Sequence, residues 1–198
     1  MFVIYVNDLP NASRILHSIL FADDTNLFYS HSDITQLINI VNTELNKLAD
    51  WFNASRLLLN VQKTHYMIFS SGKKKIPHNL PTVFISNKSI TQTKVTKFLG
   101  VLLDDKLSWI PHINFITRKI AKNIGIINKM KGIFSINIML SLYYTMIFPY
   151  LSYCNIAWGA NYNTRLSKLF LLQKRILRTI FSVDYLLIPN LFSLKLIY

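Results

Sequence analysis

Over the first hundred residues, apolar side chains come in short runs bounded by turn residues, with one helical stripe among them. Beyond about residue 106 they recur at helical spacing throughout. Met1–Leu9 is apolar and aromatic, and Asp8-Leu9-Pro10-Asn11 breaks it. Ser18–Ala22 and Thr25–Tyr29 are separated only by Asp23-Asp24, a pattern that predicts a tight β-hairpin with two carboxylates at its tip. Asp33, with Gln36 three residues on, predicts a helix N-terminus. Behind it Ile34, Leu37, Ile38, Val41, Leu45, Leu48, Ala49 and Phe52 form one apolar stripe. His65–Ser70 reads as a strand and Ser71–His78, with three lysines and Pro77, as a loop. Thr82–Asn87 and Val95–Leu103 read as strands around a turn, ending at Asp104-Asp105. Ile113, Ile116, Ile120 and Ile127 then keep one helical face, Ile138–Phe148 continues after a break, and Thr164–Phe181 closes the pattern. The chain shows no internal repeat and no low-complexity tract.

Hydrophobic residues make up 51% of the 198 and charged ones 16%, which places the sequence among those that fold around a core. The formal charge of +13 is unevenly spread. Residues 1–105 hold ten Lys/Arg and eight Asp/Glu, whereas residues 106–198 hold twelve Lys/Arg and a single acid, Asp184. A cationic half joined to a nearly neutral one implies a polyanionic partner, either nucleic acid or an anionic membrane surface. A lone cysteine, Cys154, can build neither a disulfide framework nor a zinc cluster, so a reducing, intracellular setting is expected. The five histidines lack metal-ligand spacing and read as surface or half-buried side chains. No residue between Lys131 and Arg165 is charged, and Ile138–Trp158 is long enough to span a bilayer. Pro149, Asn155 and four tyrosines favour a buried helical hairpin there instead.

Two readings of Asp23-Asp24 stand side by side. Aspartate is a good turn residue. Yet apolar flanks on both sides hold two like charges beside a core, where mutual repulsion calls for a nearby cation. Magnesium fits such a site, taking one or two carboxylates together with substrate phosphates. Asp104-Asp105 is a second pair without the aromatic hairpin context and reads as a turn. On the last helix Leu166, Leu169, Phe170, Gln173, Ile176, Leu177 and Ile180 gather on one side at about 100° per residue. Arg165, Lys168, Lys174, Arg175 and Arg178 gather on the other, with Leu171 and Leu172 as apolar intruders. Phosphate contact, a solvated face and a membrane-surface helix are the three readings of that side.

Phe21-Ala22-Asp23-Asp24 is similar to the aromatic–x–Asp–Asp box of reverse transcriptases, and Leu20–Thr25 resembles its non-LTR retrotransposon form. The order of what surrounds it strengthens the likeness. Phe2–Pro10 resembles the stretch before that box. Leu48-Ala49-Asp50-Trp51 through Leu59–Thr64, then Met67-Ile68-Phe69, resemble the next palm segment. Lys97-Phe98-Leu99-Gly100-Val101, Asp104, Leu107-Ser108-Trp109 and His112 resemble the primer-grip hairpin and the start of the thumb. Tyr143-Tyr144, Pro149, Tyr153, Trp158-Gly159 and Gln173–Arg178 resemble the thumb helices.

The resemblance implies an α+β fold: a partial polymerase palm, an antiparallel sheet with helices over residues 1–105, followed by an all-helical thumb over 106–198. It implies metal-dependent nucleotidyl transfer onto a primer 3′-hydroxyl, with RNA template, DNA primer and deoxynucleotides as partners. Asp23 would be a magnesium ligand of a two-metal site, Asp24 a second ligand or electrostatic support, and Lys63 a proton donor near the leaving pyrophosphate. A plain solvated lysine explains Lys63 as well. Phe98, Leu99 and Gly100 would position the primer end, although a simple turn also explains the glycine. The family's further palm aspartate, its glutamine-and-glycine pocket segment and its basic fingers find no match, which leaves the magnesium cage incomplete and implies a chain inactive alone. The alternatives are a non-catalytic nucleic-acid-binding remnant and a small basic membrane protein spanning at Ile138–Trp158.

Overall fold

The computed structural model describes residues 2–70, 77 and 80–182, so the expected loop at 71–78 lies outside the described residues apart from Pro77. The fold is mixed helix and strand and divides into two units, Met1–Lys94 and Val95–Tyr198. The second unit thus takes in the 95–104 hairpin together with the helices.

In the first unit a helical turn, α1 (Phe2–Tyr5), and a 3₁₀ turn at Leu9–Ala12 lead into the antiparallel hairpin β1 (His17–Phe21) and β2 (Asp24–Phe28). Helix α2 (Ile34–Ala54) follows. Its start is the expected one, with the Asp33 carboxylate accepting the Gln36 N–H at 2.8 Å. Every residue of the predicted stripe packs into the unit's core, alongside Leu9, Leu16, Val83, Ile85 and Ile90. Beyond α2 the chain makes three short elements: β3 (His65–Tyr66), the hairpin β4 (Phe84–Ile85) and β5 (Lys88–Ser89), and β6 (Thr91–Gln92). The strand expected over His65–Ser70 is cut to two residues, paired in parallel with β6. Thr82–Asn87 does not pair with Val95–Leu103. Left-handed backbone at Ser86 (φ 49°) and Asn87 (φ 60°) folds it back on Lys88–Ser89. The expected antiparallel sheet is therefore four separate two-stranded pairs among the described residues, three antiparallel and one parallel.

The second unit opens with the antiparallel hairpin β7 (Val95–Phe98) and β8 (Val101–Asp104). Five helices follow: α3 (Ile110–Met130), α4 (Ile136–Met146), α5 (Phe148–Ser152), α6 (Asn155–Trp158) and α7 (Asn163–Phe181). Ile113, Ile116, Ile120, Ile124 and Ile127 on α3 meet Leu169, Ile176 and Ile180 on α7, with Met139, Tyr143, Leu151 and Trp158 filling between. Gln173, on the apolar side of α7, is buried because its amide donates to the Tyr143 hydroxyl at 3.2 Å. The uncharged stretch is three helices and not the expected two-helix hairpin, since the chain breaks at Ile147 before Pro149 and again at Tyr153-Cys154. Among the described residues no helix is long and apolar enough to cross a membrane.

Each unit has a buried carboxylate that ties its own segments together. Glu44 sits on α2 between Val41 and Leu48, on the apolar side, and is 2% exposed. It accepts Lys47 Nζ and Ser13 Oγ, both at 2.6 Å. Ser13 Oγ in turn accepts the Leu16 N–H at 3.1 Å, which ties the segment feeding β1 to α2. The bonds from Lys47 and Ser13 outweigh burial and hold the Glu44 carboxyl below its ordinary range. Asp104, also buried, accepts the N–H groups of Ser108 (3.0 Å) and Trp109 (2.9 Å), organising a turn whose Leu107 and Trp109 are left-handed. Burial alone would raise its pKa, and the donors at Ser108, Trp109 and Lys106 lower it further than burial raises it.

Both carboxyls titrate lower when folded, so their contribution is complete above the unfolded values near pH 4 and is lost as pH falls through the folded ones. Urea titrations from pH 7 to pH 2 should show stability falling in that window, with a flatter profile in Glu44→Gln and Asp104→Asn. At pH 7 each variant should lose about 1–3 kcal/mol, the cost of leaving buried donors poorly matched.

Candidate functional site

The aspartate hairpin closes one residue earlier than the sequence pattern implied. Phe21 pairs with Asp24, so the two-residue turn is Ala22-Asp23 and Asp24 is the first residue of β2. Ala22 takes φ 53°, a left-handed backbone that costs a side-chain-bearing residue about 1 kcal/mol and sets the turn there. Leu20 and Leu27 pack into the core of the first unit. The opposite face carries Ile19, Phe21 and Phe28, each at least 40% exposed, and the pairing register puts Asp24 on that same face. Both aspartates are exposed, and no hydrogen bond or ion pair engages either carboxylate among the described residues. The apolar flanks are thus less enclosing than the sequence implied, and the two carboxylates project freely at the end of a hairpin anchored from behind.

Adjacent free carboxylates fit part of a magnesium shell, the part a protein provides when substrate phosphates and water complete it. They do not form a cage. Among the described residues no three His, Cys, Asp or Glu side chains are grouped so as to hold a metal ion. Asp8, the one acid before the hairpin, accepts the Trp51 indole N–H at 3.4 Å. Lys63 lies in a turn where its N–H meets the Asn60 carbonyl at 3.1 Å. Its side chain is exposed, and no bond joins it to either aspartate.

In the second unit Phe98, Leu99 and Gly100 occupy the end of the β7–β8 hairpin. Phe98 pairs with Val101, leaving Leu99 (φ 44°) and Gly100 (φ 88°) as the turn. Positive φ at both central residues is the signature of a type I′ turn, whose twist suits a two-residue hairpin. Gly100 meets that demand without cost, and Leu99 does not. The basic side of α7 is less uniform than the helical wheel implied. Lys168 and Arg175 are exposed, and Lys174 lies over the Phe170 ring at 5.3 Å. Arg178 is half-buried. Arg165 is tied inward, donating to the Ser108 carbonyl at 2.9 Å and to Asn161 Oδ1 at 3.1 Å.

The bonds of three supporting residues were not foreseen from the sequence. His112, expected at the surface or half-buried, is buried, accepts the Leu102 N–H through Nδ1 at 3.3 Å, and is held neutral by burial. Glu44 occupied a position on the apolar arc of α2, and that misfit was the available signal. Tyr153, noted in the sequence only as part of the thumb-like motifs, donates its hydroxyl to the Leu99 carbonyl at 2.6 Å, a pairing that spacing does not encode.

The chain is thus mixed helix and strand, with an exposed aspartate pair on one hairpin and exposed cations on α7. Comparison with known proteins shows what it resembles. The chain is 24% identical over 93% of its length to the probable RNA-directed DNA polymerase from transposon X-element of Drosophila melanogaster. It is 22% identical over 91% to the RNA-directed DNA polymerase from mobile element jockey of Drosophila funebris. It is 25% identical over 83% to the probable RNA-directed DNA polymerase from transposon BS of Drosophila melanogaster. The resemblance to the reverse transcriptases of mobile elements is thus shown over nearly the whole chain. The chain spans about one fifth of the length of these relatives, at 21%, 20% and 18%. No family model matches it, and no solved structure matches it.

Proposed function

We propose that this chain supplies the aspartate hairpin of the palm, and the thumb, of an RNA-directed DNA polymerase of a mobile element. The observation that carries the reading is the similarity to three such polymerases over 83–93% of this chain, with Asp23 and Asp24 exposed at the end of a braced hairpin. Its partners are an RNA template, a DNA primer and deoxynucleotides, in an intracellular setting. Asp23 and Asp24 would hold magnesium, which when bound neutralises charge on the attacking 3′-hydroxyl and the leaving pyrophosphate. Lys63 stands in the palm segment as the candidate donor of a proton to that pyrophosphate. Phe98, Leu99 and Gly100 present the primer end, and the cations of α7 hold duplex phosphates without reading bases.

Positioning and charge neutralisation carry phosphoryl-type transfer. Two carboxylates alone would leave a magnesium shell incomplete, so on this reading the 198-residue chain does not turn over by itself. That same shortage favours the second reading, a nucleic-acid-binding remnant without chemistry. Primer extension separates the two. The chain with magnesium and a primed RNA template should incorporate nothing, and adding a separately expressed segment from one of the relatives that carries the further palm aspartate should restore incorporation. Asp23→Asn should then abolish the restored activity, a loss of at least about a hundredfold, while Asp105→Asn leaves it nearly intact. Equal losses would assign the chemistry to the wrong pair, and no restoration would favour the non-catalytic remnant.

Binding to primer–template duplex should weaken steeply with salt, because phosphate contacts release counterions. Lys168→Gln with Arg175→Gln removes the two most exposed cations of α7 and keeps its apolar face. The log–log salt slope should become shallower by about 2, near 0.9 per lost phosphate contact. Titrations at several salt concentrations, with circular dichroism to confirm the helix, check this. An unchanged slope would place the binding surface elsewhere.

A further inference from the structure

We propose that Tyr153 is a positioning residue that locks the Leu99-Gly100 turn, and with it the element that presents the primer end. This deepens the reading above and rests on it. In a two-residue hairpin the flanking pair, here Phe98 and Val101, makes the ladder contacts, and the carbonyl of the first turn residue is left outside the ladder. Leu99 offers that carbonyl, and the Tyr153 hydroxyl donates to it at 2.6 Å across 54 positions of sequence. The ring of the same tyrosine covers the second turn residue: a Cβ added to Gly100 would meet Tyr153 Cε1 at 3.4 Å.

Leucine resists the left-handed backbone that Leu99 adopts, so the turn depends on a hold from outside itself. Tyr153 can supply that hold because its own backbone is fixed at both ends. Its N–H donates to the Pro149 carbonyl at 3.0 Å, and its carbonyl accepts the Trp158 indole N–H at 3.0 Å. Trp158 is fully buried and meets the His112 ring edge-on at 5.6 Å. His112 accepts the Leu102 N–H, so the chain of contacts returns to the hairpin on its second strand. Gly159 permits the tight helical turn beneath, since a Cβ there would lie 2.5 Å from the Asn155 carbonyl oxygen. The hairpin is thereby gripped at its tip and on β8 by one connected set of side chains. The Tyr, Trp-Gly and His motifs of the sequence acquire a shared task.

The test uses the 198-residue chain bound to an RNA template and a DNA primer with 2-aminopurine at its 3′ terminus. Tyr153→Phe keeps the ring and removes the donor, and Leu99→Gly makes the turn self-sufficient. Tyr153→Phe should speed amide exchange at Gly100 and Val101 by up to about tenfold, the population equivalent of one net hydrogen bond. Exchange in α7 and overall duplex affinity should stay as in the wild type, while the 2-aminopurine signal moves toward that of free primer. Adding Leu99→Gly to Tyr153→Phe should restore the wild-type exchange rates. Unchanged exchange in Tyr153→Phe would overturn the lock, and faster exchange with an unaltered primer signal would overturn its role in positioning. A wild-type chain that binds duplex without altering the 2-aminopurine signal would instead bring down the assignment of this hairpin to the primer end, and the proposal with it.

Discussion

A two-stranded hairpin is marginal in water, because it has only one neighbouring strand to pair with and one face to bury. Every sheet formed by the described residues has two strands, so each depends on bracing from helices and buried polar groups. The braces are specific. Ser13 and Glu44 tie the approach to β1 onto α2, and Leu20 and Leu27 add apolar contact. In the second unit Asp104 joins the end of β8 to the start of α3, His112 takes a backbone N–H of β8, and Tyr153 takes the turn. A partly satisfied buried carboxylate would cost more than it contributes. Both here accept two donors or more, and both titrate in the direction that such donors dictate.

Bracing from behind leaves the tips of the hairpins free to carry strain and chemistry. Ala22 and Leu99 each hold a left-handed backbone that a side chain disfavours, and each sits at the end of a hairpin whose base is secured. At the first tip the result is a pair of unengaged carboxylates beside an exposed apolar face. At the second it is a turn with a fixed carbonyl and a glycine against the Tyr153 ring. Cation placement follows a similar division. Arg165 is spent inward on the Ser108 carbonyl, while Lys168 and Arg175 remain outward where a polyanion could meet them.

Much of this was legible in the sequence because it rests on local rules. The Asp33 cap, the apolar stripe of α2 and the isoleucine face of α3 follow from residue type and a 3.6-residue period, and the structure has them as read. The paired aspartates were legible as a motif, but the turn was misplaced by one residue, since only the backbone of Ala22 shows where the chain reverses. Short strands were overread at His65–Ser70 because apolar composition says nothing about whether a partner strand is within reach. The burial of His112 and the Tyr153 bond join residues 10 and 54 positions apart, and no periodicity encodes such pairings. Glu44 was recoverable in principle as an acid on the apolar arc.

The central claim is that Asp23 and Asp24 are the metal-facing carboxylates and that they work only with ligands from outside this pair. Paramagnetic broadening by manganese, read residue by residue from amide resonances of the 198-residue chain, tests it directly. The account predicts weak broadening with manganese alone and strong broadening at Ala22–Thr25 when a deoxynucleoside triphosphate is added, because phosphate oxygens complete the shell. Asp23→Asn should remove it. Broadening centred on Asp104-Asp105, or an effect at the hairpin that survives Asp23→Asn, would contradict the account.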